Sequence, residues 1–466
     1  MKVQFASLSM VLALFSCLAP GVSRAQEDTS LSIRECIEYA TQNNSTIRVA
    51  RLNEEVGLQQ VREVRGGALP QINVNGSFED RLKLPLLVLP PEATAAFPGG
   101  GSGSGDNEAG IPLGYQYTSS LTAEVSQAII NPSLWIGLKA AKSSNDLYRQ
   151  QTQQAQEQVA YNIASAYYQA VVAQKQLDLL SSNLESTNRT LANTKLQFDN
   201  GVAKQVDVKR LQVNASNLQS QIQQSKVNLQ QVTNQLKYLM GMPLDQPITL
   251  SDNTFTFEQP EEVLTELPED FYTRRLDYNI LQTNLDLQEL DRKNNATGYY
   301  PTLNAFANYG YQAQGADFGL FPINDNGWVD YTTASIGLRL NIPVFDGLQR
   351  DARIQQSKIK ASQLQENIQD TKRSINLETS NALSQYESTL QRINAEQQNV
   401  ALAQDVYQIT ELEFKEGVGT STDVVEAETA LREAQTTYIT TLLDLYVARL
   451  DLENAQGNIL PYINSL

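Results

Sequence analysis

The sequence predicts a mainly α protein with a membrane β-barrel. Each chain would supply four strands and two very long helices from two internal repeats, too few strands to close a barrel alone, and three copies would give 12 strands. Three observations predict this. Phe198, Gly201, Val202, Asp207, Val208 and Gly241 recur as Phe414, Gly417, Val418, Asp423, Val424 and Gly457, always 216 residues on, the mark of a duplicated supersecondary unit. Four segments alternate apolar and polar residues with period two. Two stretches of about 67 residues lack internal proline and reach roughly 100 Å as helices at 1.5 Å per residue.

The chain opens like a secretory leader spanning 1–25. Lys2 precedes a largely apolar run from Phe5 to Ala19, and Ser23-Arg24-Ala25 offers small residues for cleavage. A competing reading takes Leu14-Phe15-Ser16-Cys17 as a lipoprotein box with Cys17 as the acylated terminus. Either way the chain is expected to be exported, and ordinary cleavage leaves Cys36 as its single cysteine. No intrachain disulfide or thiolate metal cluster is then available.

Two further compositional facts narrow the function. There is no histidine, which removes the commonest general base and metal ligand, so an enzyme, a cofactor or a bound metal is not expected. A net charge of −17 opposes nucleic-acid binding, which needs a basic surface. Beyond the leader no apolar run reaches 18 residues, so no transmembrane helix is expected.

Segment 26–241 forms the first repeat. Within it 32–66 is expected as short helix, and after Leu69-Pro70 the first strand sets Ile72, Val74, Gly76 and Phe78 against Gln71, Asn73, Asn75 and Ser77. A second strand sets Leu121, Ala123 and Val125 against Ser120, Thr122, Glu124 and Ser126. The loop between them holds Gly99-Gly100-Gly101-Ser102-Gly103-Ser104-Gly105. Without a following lysine or a strand–loop–helix setting, this run is an exposed loop and not a phosphate cradle.

The long helix then runs from Pro132 to Phe198. Its 4-3 seam passes through Val159, Ile163, Ala166, Ala170, Ala173, Leu177, Leu180, Leu184, Thr187, Leu191, Thr194 and Phe198. A turn and a shorter helix at about 206–240 follow. Segment 242–269, with Pro243, Pro247, Pro260 and Pro268, is an irregular equatorial connector.

The second repeat, 270–460, keeps this order, and 461–466 is a short tail. A helix is expected at 270–298, echoing 32–66. Leu303, Ala305, Ala307, Tyr309 and Tyr311 oppose Thr302, Asn304, Asn308 and Gly310, with Phe306 an apolar intruder on the polar face. Ile336, Leu338, Leu340 and Ile342 oppose Ser335, Gly337, Arg339 and Asn341. The long helix from Leu348 to Phe414 breaks its seam at Glu396, and a shorter helix covers about 422–457.

This alternation suits a membrane barrel with a wet lumen holding Glu124 and Arg339. Phe318, Phe321, Trp328 and Tyr331 in or beside the connecting loop suit an interfacial girdle. Four strands cannot close a barrel, and lipid does not tolerate open edges, so an oligomer must complete the wall. A soluble coiled-coil scaffold is the alternative, and the amphipathic strands speak against it.

Several motifs fix a resemblance. Asn43-Asn44-Ser45-Thr46-Ile47-Arg48, Leu69-Pro70, Pro343-Val344-Phe345-Asp346-Gly347 and Phe414-Lys415-Glu416-Gly417-Val418-Gly419-Thr420-Ser421-Thr422-Asp423-Val424, in this order across a duplicated chain, are similar to the outer-membrane efflux protein family. The resemblance implies an outer-membrane homotrimer whose helical barrel crosses the periplasm. It also implies docking to a periplasmic adaptor and an inner-membrane pump of RND or ABC type, for efflux or type I secretion. In the first repeat Ala128-Ile129-Ile130-Asn131-Pro132 replaces the Pro-Val-Phe-Asp-Gly step.

Under that layout the turns at Gly201, Val202, Gly417, Val418 and Thr420 lie at the periplasmic tip and would face adaptor hairpins. Asp423 and Glu426 read as a capping pair at a helix start and, repeated around a threefold axis, as an acidic constriction. Asp207 is their first-repeat counterpart. Lys209 and Arg210 follow it, so it is expected to cap and pair more than to line the pore.

Overall fold

The computed structural model describes residues 30–88, 110–251, 271–319 and 327–465. The leader with Cys17, the glycine run at 99–105, Phe321 and connector residues 252–269 lie outside these.

The first half runs β1 (Ser30–Leu31), α1 (Ile33–Asn43), α2 (Ser45–Gly66), β2 (Gln71–Asp80), β3 (Leu86–Val88), β4 (Gly110–Pro112), β5 (Tyr117–Ile130), α3 (Pro132–Asp199) and α4 (Gln205–Met240). The connector contributes β6 (Thr249–Leu250). The second half runs α5 (Phe271–Arg274), α6 (Leu276–Thr297), β7 (Thr302–Gly315), β8 (Val329–Asn341), α7 (Gln349–Lys415), α8 (Ser421–Ala455) and α9 (Ile459–Ser465). Among the described residues no helix is long and apolar enough to cross a membrane.

The segments expected as single short helices are each broken. Asn44 stands extended between α1 and α2 because its side chain does two jobs. Its Oδ1 accepts from the amides of Thr46 and Ile47, capping α2, and its Nδ2 donates to Leu239 O on α4 at 2.6 Å. In the second half Arg275 stands extended between α5 and α6 without capping α6 through its side chain. Residues 461–465 continue α9, whose Ile459 and Ile463 are buried.

α3 starts where Asn131 accepts from Ser133 N and Pro132 presets the first turn. Its seam is buried at Val159, Ile163, Ala166, Ala170, Ala173, Leu180, Thr187 and Thr194. The threonines fit this apolar stripe because Thr187 and Thr194 donate to the carbonyls of Asn183 and Thr190, four residues earlier. α7 holds its seam past Glu396, which is half-buried and accepts from Asn399 Nδ2 at 3.2 Å.

The largest core sits at mid-height. Ile33, Cys36 and Ala40 of α1, Ile163 and Tyr167 of α3, Leu236 and Met240 of α4, Leu450 of α8 and Ile459 of α9 pack there. Each large side chain buried there contributes about 2 kcal/mol. β6 pairs in parallel with β1 beside this core, tying the connector to the start of the described chain.

The four long strands form one antiparallel sheet in the order β2–β5–β7–β8. Within the chain, the outer edges of β2 and β8 have no partner strand among the described residues.

Candidate functional site

Strand register sorts the sheet into two chemically distinct faces. Ile72 pairs with Val125, Val125 with Ala307 and Ala307 with Ile336, so one apolar row crosses all four strands. The row is open to its surroundings: Ile72 is 70% exposed and Ile336 88%. On the opposite face Asn73, Glu124, Asn308 and Ser335 form a polar row.

Arg339 pairs with Asn304 on that polar face and reaches over the Phe306 ring, its guanidinium carbon 5.1 Å from the centroid. The apolar intruder is therefore a perch for the arginine. Gly337, opposite Phe306, makes the space, since a Cβ there would lie 2.7 Å from the ring.

The two hairpin turns at the other end are near copies. Gly201 and Gly417 both take φ 79°, the left-handed conformation that ends a helix. Gly201 N donates to Phe198 O and Val202 N to Gln197 O; Gly417 N donates to Phe414 O and Val418 N to Glu413 O. The two valines are left projecting, Val202 76% and Val418 80% exposed.

Thr420 and Asp423 form a reciprocal capping box at the start of α8. Asp423 Oδ2 accepts from Thr420 N at 3.1 Å and from Thr420 Oγ1 at 2.7 Å, and Asp423 N donates to Thr420 Oγ1. The Thr420 hydroxyl and amide hold the Asp423 carboxyl below the usual carboxylate range. Glu426, one turn on, is exposed and has no intrachain hydrogen bond or ion pair among the described residues. So the two acids differ: Asp423 is fixed by its cap, and Glu426 is free to meet a solute.

Asp207 is bound differently from Asp423. Its carboxylate accepts from Lys204 N and, across 214 residues, from Ser421 Oγ at 2.5 Å. Arg210 donates to the same Ser421 hydroxyl at 2.6 Å and lies 3.7 Å from Asp207. Asp207 thus caps and pairs, and in doing so ties α4 to the first turn of α8. The charges at 207 and 210 are plain in the sequence, but the serine that joins them is not.

A second polar tie lies further up α8. Glu428 is buried, and its carboxyl meets Thr187 of α3 and Asn214 of α4. It escaped the sequence reading, although it interrupts the apolar stripe of Val424, Ala427 and Leu431.

At mid-height one arginine serves several partners. Arg275 donates to Asp277, Glu378 and the carbonyls of Asn454 and Ala455 that end α8. Glu157 of α3 faces this group without a hydrogen bond among the described residues. Burial is the main cause that pushes its carboxyl up to about 7; Arg275 opposes the rise and Asp277 adds to it.

The chain is similar in sequence and fold to known proteins. The family model described as outer membrane efflux protein matches residues 99–242 and 274–458. The chain is 20% identical over 442 residues to the outer membrane protein TolC of Escherichia coli, covering 92% of this chain and 82% of that protein. It is 25% identical over 437 residues to the toluene efflux pump outer membrane protein TtgF of Pseudomonas putida, covering 91% and 83%. Its fold resembles that of the outer membrane protein VceC from Vibrio cholerae, with a TM-score of 0.66 at 17% identity over 91% of this chain and 96% of that one.

Proposed function

Because the chain belongs to the outer membrane efflux protein family, we propose that three copies form one passive duct through the outer membrane and across the periplasm. The four-stranded sheet carries this reading. It has an exposed apolar face, a polar face and two open edges, and in lipid such edges require partner strands. Pairing β8 of one copy with β2 of the next would close twelve strands. The apolar row would then face lipid, and Glu124 and Arg339 would face the lumen.

The helices α3 and α7 supply the length to reach inward from the membrane. Near the middle, the core around Cys36 fixes the two halves together. At the far end Gly201, Val202, Gly417, Val418 and Thr420 present repeated hairpin tips to a periplasmic adaptor, which couples the duct to an inner-membrane pump of RND or ABC type. Asp423 and Glu426, with Asp207 behind them, form an acidic constriction at that end. The duct performs no chemistry of its own and carries what the pump delivers.

Single-channel recording in planar bilayers tests this. Detergent-extracted trimers should give small, cation-selective conductance. Well-folded trimers that insert and stay silent would overturn the duct and favour a scaffold.

A further inference from the structure

Glu428 is a carboxyl group placed where a charge is hard to keep. It is 5% exposed, flanked on α8 by Val424, Ala427 and Leu431, which cluster with Tyr407 of α7. Its direct partners are neutral. Asn214 Nδ2 on α4 donates to Glu428 Oε2 at 2.8 Å, and the Thr187 hydroxyl on α3 touches Oε1.

The charged and titratable groups around it are few. Arg432, one turn along α8, forms no ion pair with Glu428 among the described residues and directs a nitrogen to Thr429 Oγ1. From α7 comes Tyr407, whose hydroxyl lies 3.1 Å from Ser186 Oγ, with Glu411 and Arg189 beyond it. α4 contributes Asn214 at this level, and its Arg210 belongs to the tie at Ser421.

Proton counting points the same way. Thr187 Oγ1 has one hydrogen and two oxygens within reach, Glu428 Oε1 and Asn183 O at 2.9 Å. A neutral carboxylic acid serves every atom. Its O–H donates to Thr187 Oγ1, that hydroxyl donates to Asn183 O, and Asn214 donates to Oε2. An ionised carboxylate would take the threonine hydrogen from Asn183 and hold an unpaired charge in an apolar layer, which is disfavoured. Burial raises the carboxyl above its ordinary range, outweighing the Thr187 and Asn214 hydrogen bonds and the charge of Arg432, which pull it down.

We propose that Glu428 is a proton-operated latch that, when neutral, fastens α8 to α3 and α4 and, when ionised, releases it. The tie joins the two halves of the chain, because Thr187 and Asn214 belong to the first and Glu428 to the second. The sign follows from the raised value. The tie is at full strength below the ordinary carboxylate range and weakens as pH rises through the carboxyl's higher value in the tie. The second-half hairpin therefore loosens from the first at the level of Glu428 on the alkaline side.

Two measurements on the purified, detergent-extracted oligomer test the latch, and neither needs a conducting channel, so the latch stands or falls apart from the duct. Infrared difference spectra of the wild type against Glu428→Gln should show the carbonyl stretch of a neutral carboxylic acid at neutral pH, present only in the wild type. Gln keeps the shape and can still donate to Thr187 and accept from Asn214, so the variant should fold.

As pH rises the band should fade. Between the ordinary carboxylate value and the pH at which the band fades, amide exchange in 421–432, corrected for its intrinsic pH dependence, should accelerate in the wild type by up to about tenfold per pH unit, the linkage of one proton, and level off beyond it. Glu428→Gln should stay flat, and Thr187→Val should shift the band by removing its acceptor. A carboxyl band missing at neutral pH, or exchange profiles of wild type and Glu428→Gln that superpose, overturns the latch.

Discussion

Glu157 offers a sharp test of the electrostatics at mid-height. Arg275 already donates to Asp277, Glu378 and two main-chain carbonyls, so it cannot also hydrogen-bond Glu157. The carboxyl sits at about 7 in the folded chain against an ordinary 4.5. At full strength such a difference corresponds to about 3 kcal/mol. Glu157 is only half-buried, and solvent screening reduces this to roughly 1–2 kcal/mol. Because the folded value is the higher one, the destabilisation is absent below the ordinary carboxylate value. It grows as pH climbs and is complete above about 7. Glu157→Gln should therefore match the wild type in urea unfolding at pH 4.5 and exceed it by about 1–2 kcal/mol at pH 8. Parallel pH profiles for the two proteins would refute a desolvated carboxyl at this position.

Two further outcomes follow from the tip and the turns. Neutralisation separates the two acids of the proposed constriction. A trivalent cation about 6 Å from one carboxylate gains roughly 2 kcal/mol in water, about halved by physiological salt. Glu426→Gln should thus weaken multivalent-cation block about fivefold per carboxylate, without loosening α8. Asp423→Ala should instead raise amide exchange in the first turn of α8, because it removes the acceptor of the Thr420 cap. Block by cations that ignores Glu426→Gln would return that residue to the solvated surface. Among the glycines, Gly201 and Gly241 both have positive φ, but a Cβ at 201 meets open space and one at 241 would lie 2.6 Å from Asn43 O. Gly201→Ala should lose about 1–2 kcal/mol from the left-handed backbone alone, and Gly241→Ala a further 1–3 kcal/mol from the clash, on the order of an overpacked core site. Comparable denaturant midpoints for the two variants would contradict this.

Much of this architecture is legible in the sequence because its signals are local. Alternation around Val74, Val125, Ala307 and Ile336 marks strands within a few residues, and the stripe from Val159 to Thr194 marks a helix seam. The duplicated glycines mark turns because their backbone enters the left-handed bend without the steric cost a side chain brings. What stays hidden depends on pairings across the chain. Phe306 looks misplaced until the register sets Gly337 opposite it and Arg339 over its ring. Asn44 reads as an ordinary helical residue until Leu239, 195 positions away, accepts its amide. Ser421 and Glu428 look like surface residues of α8, and only the packing of α8 on α3 and α4 gives them partners.

The distribution of these interactions says where the molecule can move. At mid-height large apolar side chains from several helices share one core, and separating them would expose many groups at about 2 kcal/mol each. Towards the tip the contacts between the two halves become polar. Ser421 joins Asp207 and Arg210, and Glu428 joins Thr187 and Asn214. Net hydrogen bonds of this kind contribute about 1 kcal/mol, and they can be exchanged for water as the halves part, which buried leucines cannot do. The repeats also diverge here. Asp423 closes on its own Thr420, so α8 keeps its first turn when the halves separate. Asp207 also closes on Ser421 of α8 and loses that partner when they do, keeping Lys204 N within its own half. A rigid second-half hairpin hinged on the apolar core, and fastened at its tip by replaceable polar ties, is the arrangement that lets one end of a long duct open while the rest holds.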